Sequence, residues 1–220
     1  MKSRSSSRTR SATVAAALAL VVLGGCGGGG SGVVAPVAVP EPELEVATVA
    51  GLGVAVLTHV DRSAVSEVSG GRNRREGWMS VGMRVDTGVA TVPLDTMVFR
   101  RQDSVEPGAI CDEGGSWILS CQVTTASDGS VLSVQTSTED IVGGRSEHGF
   151  FVFVVNFRDG EVVFVMEELD SREPSYLDLT ELPVDVEVLK DIATDPYVGV
   201  KTTAELNDAG QDLPELGSAG

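Results

Sequence analysis

Histidine is nearly absent from these 220 residues, with only His59 and His148. Cysteine is scarce too, at three: Cys26, Cys111 and Cys121. No histidine lies close to Cys111 or Cys121, so the ligand set of a zinc site is missing. Their spacing is also wider than the CxxC of a redox pair. No GxSxG marks a nucleophile elbow, and no DxDxDG loop offers alternating oxygens to calcium. Gly70-Gly71 and Gly143-Gly144 lack both the phosphate-loop lysine spacing and a GxGxxG pattern. The uncharged stretch from Ala12 to Leu23 is shorter than the roughly 20 apolar residues a spanning helix needs. No internal repeat is visible. Motifs therefore assign no catalytic, cofactor or metal residue.

His59 and His148 are two weaker catalytic signals. His59 lies in THVDRS with Asp61 and Ser63 nearby, and a hydrolase set of nucleophile, base and acid can be drawn through them. Adjacent strand residues alternate faces, so the simpler expectation is a surface histidine at a strand end. His148, in RSEHGFF, is expected in a loop. The acid pairs Asp112-Glu113 and Glu139-Asp140, and the cluster Glu167-Glu168-Asp170, are expected to be solvated surface.

Charge of one sign is in short supply. Sixteen basic residues face 32 acidic ones, and 13 of the sixteen are arginine. Residues 1–25 hold four of the bases and no acid, so the remainder carries −20. That balance disfavours nucleic acid and argues against docking on anionic lipid headgroups. Arg72, Arg74 and Arg75, in the polar stretch SGGRNRRE (69–76), form a local exception. They are expected in an exposed, protease-sensitive loop; the alternative is a patch that meets a phosphate-bearing wall polymer or an acidic partner.

The N-terminus explains VVLGGCGGGGSG (21–32). Lys2, Arg4, Arg8 and Arg10 precede the short apolar run, and small residues follow it, the layout of a secretory signal peptide. Leu23-Gly24-Gly25-Cys26 resembles the bacterial lipobox. The resemblance implies cleavage before Cys26 and diacylglycerol on its sulfur. Two or more acyl chains give stable attachment, at about 0.8 kcal/mol per buried methylene. Residues 26–43, rich in glycine and then proline, read as a flexible linker. The expected address is the outer face of the cytoplasmic membrane. In that oxidising compartment Cys111 and Cys121 form a structural disulfide, stabilising by roughly 2–3 kcal/mol.

The remaining chain, 44–210, reads as one α+β domain: an antiparallel sheet of about five to seven strands with a C-terminal helix packed on one face. Residues 211–220 read as a loose tail. Segments 52–60 and 78–86 read as strands, and 89–103 adds another around Met97 to Arg100. Asp128-Gly129 signals a two-residue hairpin turn that sets Val123 opposite Val134 and Thr125 opposite Leu132, with Trp117, Leu119, Cys121 and Val123 on the core face. Asp159-Gly160 signals a second hairpin, Arg158 facing Glu161, apolar on both faces and hence central. In LPVDVEVLKDIATDP (182–196), Asp185 is a helix N-cap, Val184 and Leu189 form a hydrophobic staple, and the helix covers the Val152/Val154 face. A further short helix spans 203–210. The order of cysteine pair, DGS hairpin, Gly-Gly loop, DG hairpin and LKDIATDP resembles a set of uncharacterised actinobacterial exported proteins over roughly residues 105–200. That resemblance implies the fold and no activity.

The functional expectation is a non-enzymatic binding or interaction module, anchored to the membrane and meeting an envelope protein or wall polymer. The alternative is a carrier of a lipid or other apolar ligand, and the third is a hydrolase using His59 or His148. No cofactor is expected.

Overall fold

The structure, a computed structural model, describes residues 42–101, 111, 118–126, 128–138, 150–158, 160–169, 179 and 182–213. The leader, Cys26, most of the linker, Trp117, His148, Asp159 and the acid pairs at 112–113 and 139–140 lie outside the described residues.

Seven strands form one antiparallel sheet: β2 (Val65–Asn73), β3 (Trp78–Asp86), β4 (Thr91–Arg100), β5 (Ile118–Thr125), β6 (Val131–Ser137), β7 (Phe150–Arg158) and β8 (Glu161–Leu169), in the order β2-β3-β4-β8-β7-β6-β5. A separate two-stranded ribbon pairs β1 (Leu44–Val46) with β9 (Lys201–Thr203). Three α-helices with bounds among the described residues join the sheet in an α+β domain: α1 (Val49–Leu57), α2 (Val186–Thr194) and α3 (Ala204–Gly210).

The β7–β8 hairpin sits at the sheet centre because both its faces are apolar. Its register matches the sequence reading: Arg158 faces Glu161, Phe153 faces Met166 and Val154 faces Val165. One face packs Val152, Val154, Val163 and Val165 against the helices, where Leu189 and Ile192 are fully buried. Burying each such side chain contributes roughly 1.5–3 kcal/mol. The other face carries Phe151, Phe153, Val155, Phe157, Val162, Phe164 and Met166, all buried. Every described member of that second cluster is a strand residue. Rings Phe153 and Phe164 are tilted with centroids 5.2 Å apart.

The α2 signals also hold. The Asp185 carboxylate accepts from the Glu187 N–H at 2.9 Å, and Val184 is buried beside Leu189. Asn156 Nδ2 donates to the Ala193 carbonyl at 3.0 Å, seating the helix end on the Val152/Val154 face.

Four expectations are corrected. Residues 52–60 are not a strand, since Val49–Leu57 is helical. Its glycines and β-branched residues are poor helix formers, but the segment is apolar all round and buried, so tertiary packing decides. The Thr48 hydroxyl caps it, accepting from Gly51 N–H at 2.9 Å. Residues 69–73 are not loop but the end of β2.

The first hairpin is shifted by one: Val123 faces Ser133 and Thr125 faces Val131. A two-residue type I′ turn needs positive φ at both central positions. Here only Gly129 has it, at 83°. The turn closes instead through Ala126 N–H to the Ser130 carbonyl at 2.9 Å, one residue longer. β5 ends the sheet order as an edge strand, and Leu119 and Val123 are 42% and 44% exposed rather than core. Finally, packing continues past 210, because Leu213 is buried in the core.

Candidate functional site

The β2–β3 hairpin ends in a turn built by Asn73. The Asn73 side-chain oxygen accepts from the N–H groups of Arg75 at 3.0 Å and Glu76 at 3.1 Å. Its carbonyl accepts from Gly77 N–H at 2.8 Å. This satisfied turn projects Arg74 and Arg75 as exposed side chains, with Arg72 exposed on the strand just before it. Glu76 is occupied by its neighbour: Trp78 Nε1 donates to its carboxylate at 2.8 Å.

Two further elements close on this tip. Antiparallel pairing of β3 with β4 sets Trp78 opposite Phe99 and so delivers Arg100 and Arg101 beside the turn. The β1–β9 ribbon supplies the rest, with Val46 paired to Lys201. Together these residues wall a cleft of about 600 Å³. Val46, Met79 and Val200 give it an apolar floor. Its charged lining is six cations, Arg72, Arg74, Arg75, Arg100, Arg101 and Lys201, against the single carboxylate of Glu76. The side chains of Arg72, Arg74, Arg75, Arg100 and Lys201 make no hydrogen bond or ion pair with another described residue.

The ribbon is held in place by a buried amide. Asn207 of α3 accepts at Oδ1 from Thr48 N–H at 2.8 Å and the Thr48 hydroxyl at 3.0 Å. Its Nδ2 donates to Glu45 Oε1 at 2.6 Å and the Val46 carbonyl at 3.1 Å. All four hydrogen-bonding positions of the carboxamide are used. Glu45 is thereby turned towards Asn207, and Val46 and Lys201 are fixed at the cleft. On the far side of the ribbon, Glu161 accepts from Val200 N–H at 2.7 Å and from Arg158 at 3.3 Å. Burial pushes the Arg158 pKa down, while Glu161, Asp195 and Asp128 oppose that shift.

Sequence reasoning found Arg72, Arg74 and Arg75 but missed Arg100, Arg101 and Lys201. The doublet at 100–101 was a usable signal. Reading 69–73 as loop hid the strand pairing that brings it to the hairpin tip.

The other candidate residues lie elsewhere. His59 is not at a strand end: it follows α1, and its Nε2 is 2.6 Å from Asp195 Oδ2 in a partly buried pair. Asp61 accepts instead from the N–H and hydroxyl of Ser63 at 2.9 and 2.7 Å. These bonds hold its pKa below the usual carboxylate range. The hydrolase set drawn from His59, Asp61 and Ser63 is therefore not assembled by these contacts.

Cys111 and Cys121 form the disulfide, with Cα atoms 5.7 Å apart. Glu167, expected on the solvated surface, is fully buried. Its Oε1 accepts from Val184 N–H at 2.9 Å. Desolvation raises its pKa from 4.5 to about 7, against the lowering effect of that bond. No group of three or more metal-ligating side chains occurs among the described residues.

No protein-family model, curated protein or solved structure matches the chain.

Proposed function

We propose that this chain is a lipid-anchored extracytoplasmic binding module, held on the outer face of the cytoplasmic membrane through Cys26, and that the basic cleft is its binding surface for an anionic partner. The observation that carries the reading is a concentration of charge. Half of the 12 basic residues beyond residue 25 line one cleft on a chain segment of net charge −20. Like charges gathered this way repel unless an anion joins them, and a concave wall focuses their field. Guanidinium forks suit phosphoryl and carboxylate oxygens. The volume falls in the range of roughly 300–1,000 Å³ typical of ligand sites, so the partner is larger than a lone ion.

The carrier and hydrolase alternatives gain no comparable support. The charged lining of the cleft is cationic apart from Glu76, and the partner of His59 is the α2 cap residue Asp195.

Linear polyphosphate is a suitable probe. Wild-type protein should bind it saturably. The triple variant Arg72→Ala, Arg100→Ala, Lys201→Ala should keep its circular dichroism and lose about tenfold or more in affinity, from roughly 0.5–1 kcal/mol per exposed charge contact. Equal binding by both proteins would remove the cleft from the account. Intact-mass analysis of protein from host membranes tests the anchor separately, reading a diacylglyceryl group on Cys26 and loss of residues 1–25.

A further inference from the structure

We infer that the cleft seats the domain on the phosphoryl headgroups of the membrane that carries it; this deepens the proposed function and rests on its lipid anchor. The anchor-side chain enters the fold at the cleft. β1 begins at Leu44, and Val46, two residues on, is both a cleft wall and the cross-strand partner of Lys201. The linker from Cys26 to Leu44 reaches roughly 60 Å at most when fully extended. As a flexible coil it averages on the order of 20–25 Å. A tether of that length holds the cleft near the headgroup layer at high effective concentration.

Total charge pointed the other way, but it is the wrong quantity at contact. At physiological salt, exposed charges more than about 8 Å apart are largely screened. What meets the membrane is the local set of Arg72, Arg74, Arg75, Arg100 and Lys201 with Glu76, not the whole surface. Each lysine or arginine brought to an anionic leaflet strengthens attachment by roughly fivefold.

The surroundings of the cleft fit a lipid surface better than a soluble polymer or an acidic protein. Leu44 and Val46 are 43% and 60% exposed, two of the five exposed large apolar side chains among the described residues. By the period of two they share one side of the ribbon, and Val46 pairs there with Lys201. Apolar side chains beside cations are the composition of an interfacial contact. The intervening Glu45 is held away by Asn207.

The test is amide hydrogen exchange on the mature protein reconstituted into vesicles of phosphatidylcholine alone, or of phosphatidylcholine mixed with phosphatidylglycerol. Exchange in residues 72–79 and 199–202 should slow on the anionic vesicles only, and high salt should reverse it. Lys201→Ala should weaken that docking about fivefold. Arg74→Ala with Arg75→Ala, at the exposed turn, should do so further.

Equal protection on both vesicle types, no protection on either, or protection produced only by added soluble polyphosphate or an acidic protein would overturn the inference. Intact mass of the same sample separates the two readings. Unlipidated chain that is protected when added to anionic vesicles would sink the anchor and keep the docking face. Lipidated chain without protection would do the reverse.

Discussion

Glu167 shows how one side chain sets the pH response of this fold. It is fully buried, with its pKa raised from 4.5 to about 7. Below about pH 4.5 folded and unfolded chains both hold the proton. As pH rises towards 7 the unfolded chain releases it first, so the unfolded state binds fewer protons and stability falls. Above about 7 the penalty is complete, at roughly 3 kcal/mol. Glu167→Gln keeps an acceptor for the Val184 N–H and carries no charge. Urea unfolding at about pH 5 and about pH 8 should show wild type weaker at the higher pH, with the variant nearly level. A wild type more stable at the higher pH, or a variant with the same slope, would contradict this assignment. The sequence could not reveal that burial. Glu167 sits beside Glu168 near Asp170 in an acidic chain, and only its place in the β8 alternation aims it at the core.

Between elements, α1 and α3 approach closely at Gly210. A Cβ on Gly210 would lie 2.5 Å from the Ala50 carbonyl carbon and 2.7 Å from Gly51 N. Both are backbone atoms, so relief requires moving a helix. Gly210→Ala should destabilise by about 1–3 kcal/mol, measured by thermal or urea unfolding. It should also weaken polyphosphate binding, because α3 carries the Asn207 that positions the ribbon. A stable variant with unchanged affinity would disconnect that packing from the site.

Elements differed in how well the sequence disclosed them. The β7–β8 hairpin was legible down to its register because its aromatic and valine faces each had to be buried. α2 was legible from Asp185, Val184 and the Leu189 stripe. α1 was not, because a segment apolar on every side has no face to set a period. The β5–β6 register missed by one because Asp-Gly suits loops of two lengths, and the choice lies in the backbone of the turn. Reduction of the Cys111–Cys121 bond, which ties residue 111 to β5, should cost roughly 2–3 kcal/mol, read as a lower urea midpoint in reductant.

For the whole molecule, the distribution of charge matters more than its sum. Four segments far apart in sequence, Val46, 72–79, 100–101 and 200–201, meet at one cleft. Hairpin pairing, the β3–β4 ladder and the Asn207 clasp bring them there. No single segment announced the site, although Arg72, Arg74 and Arg75 marked one wall of it. β1 begins at Leu44, and its Val46 lines the same cleft.

The most direct test of that account is the salt dependence of polyphosphate binding. Five of the cleft cations have no partner among the described residues. If all five displace counterions, log K against log salt should fall with a slope of roughly −3.5 for a single-stranded polyanion, shrinking to about −1.5 when Arg72, Arg100 and Lys201 are replaced by alanine. A slope near zero, or one the triple variant leaves unchanged, would show that the cleft is not where this protein holds its partner.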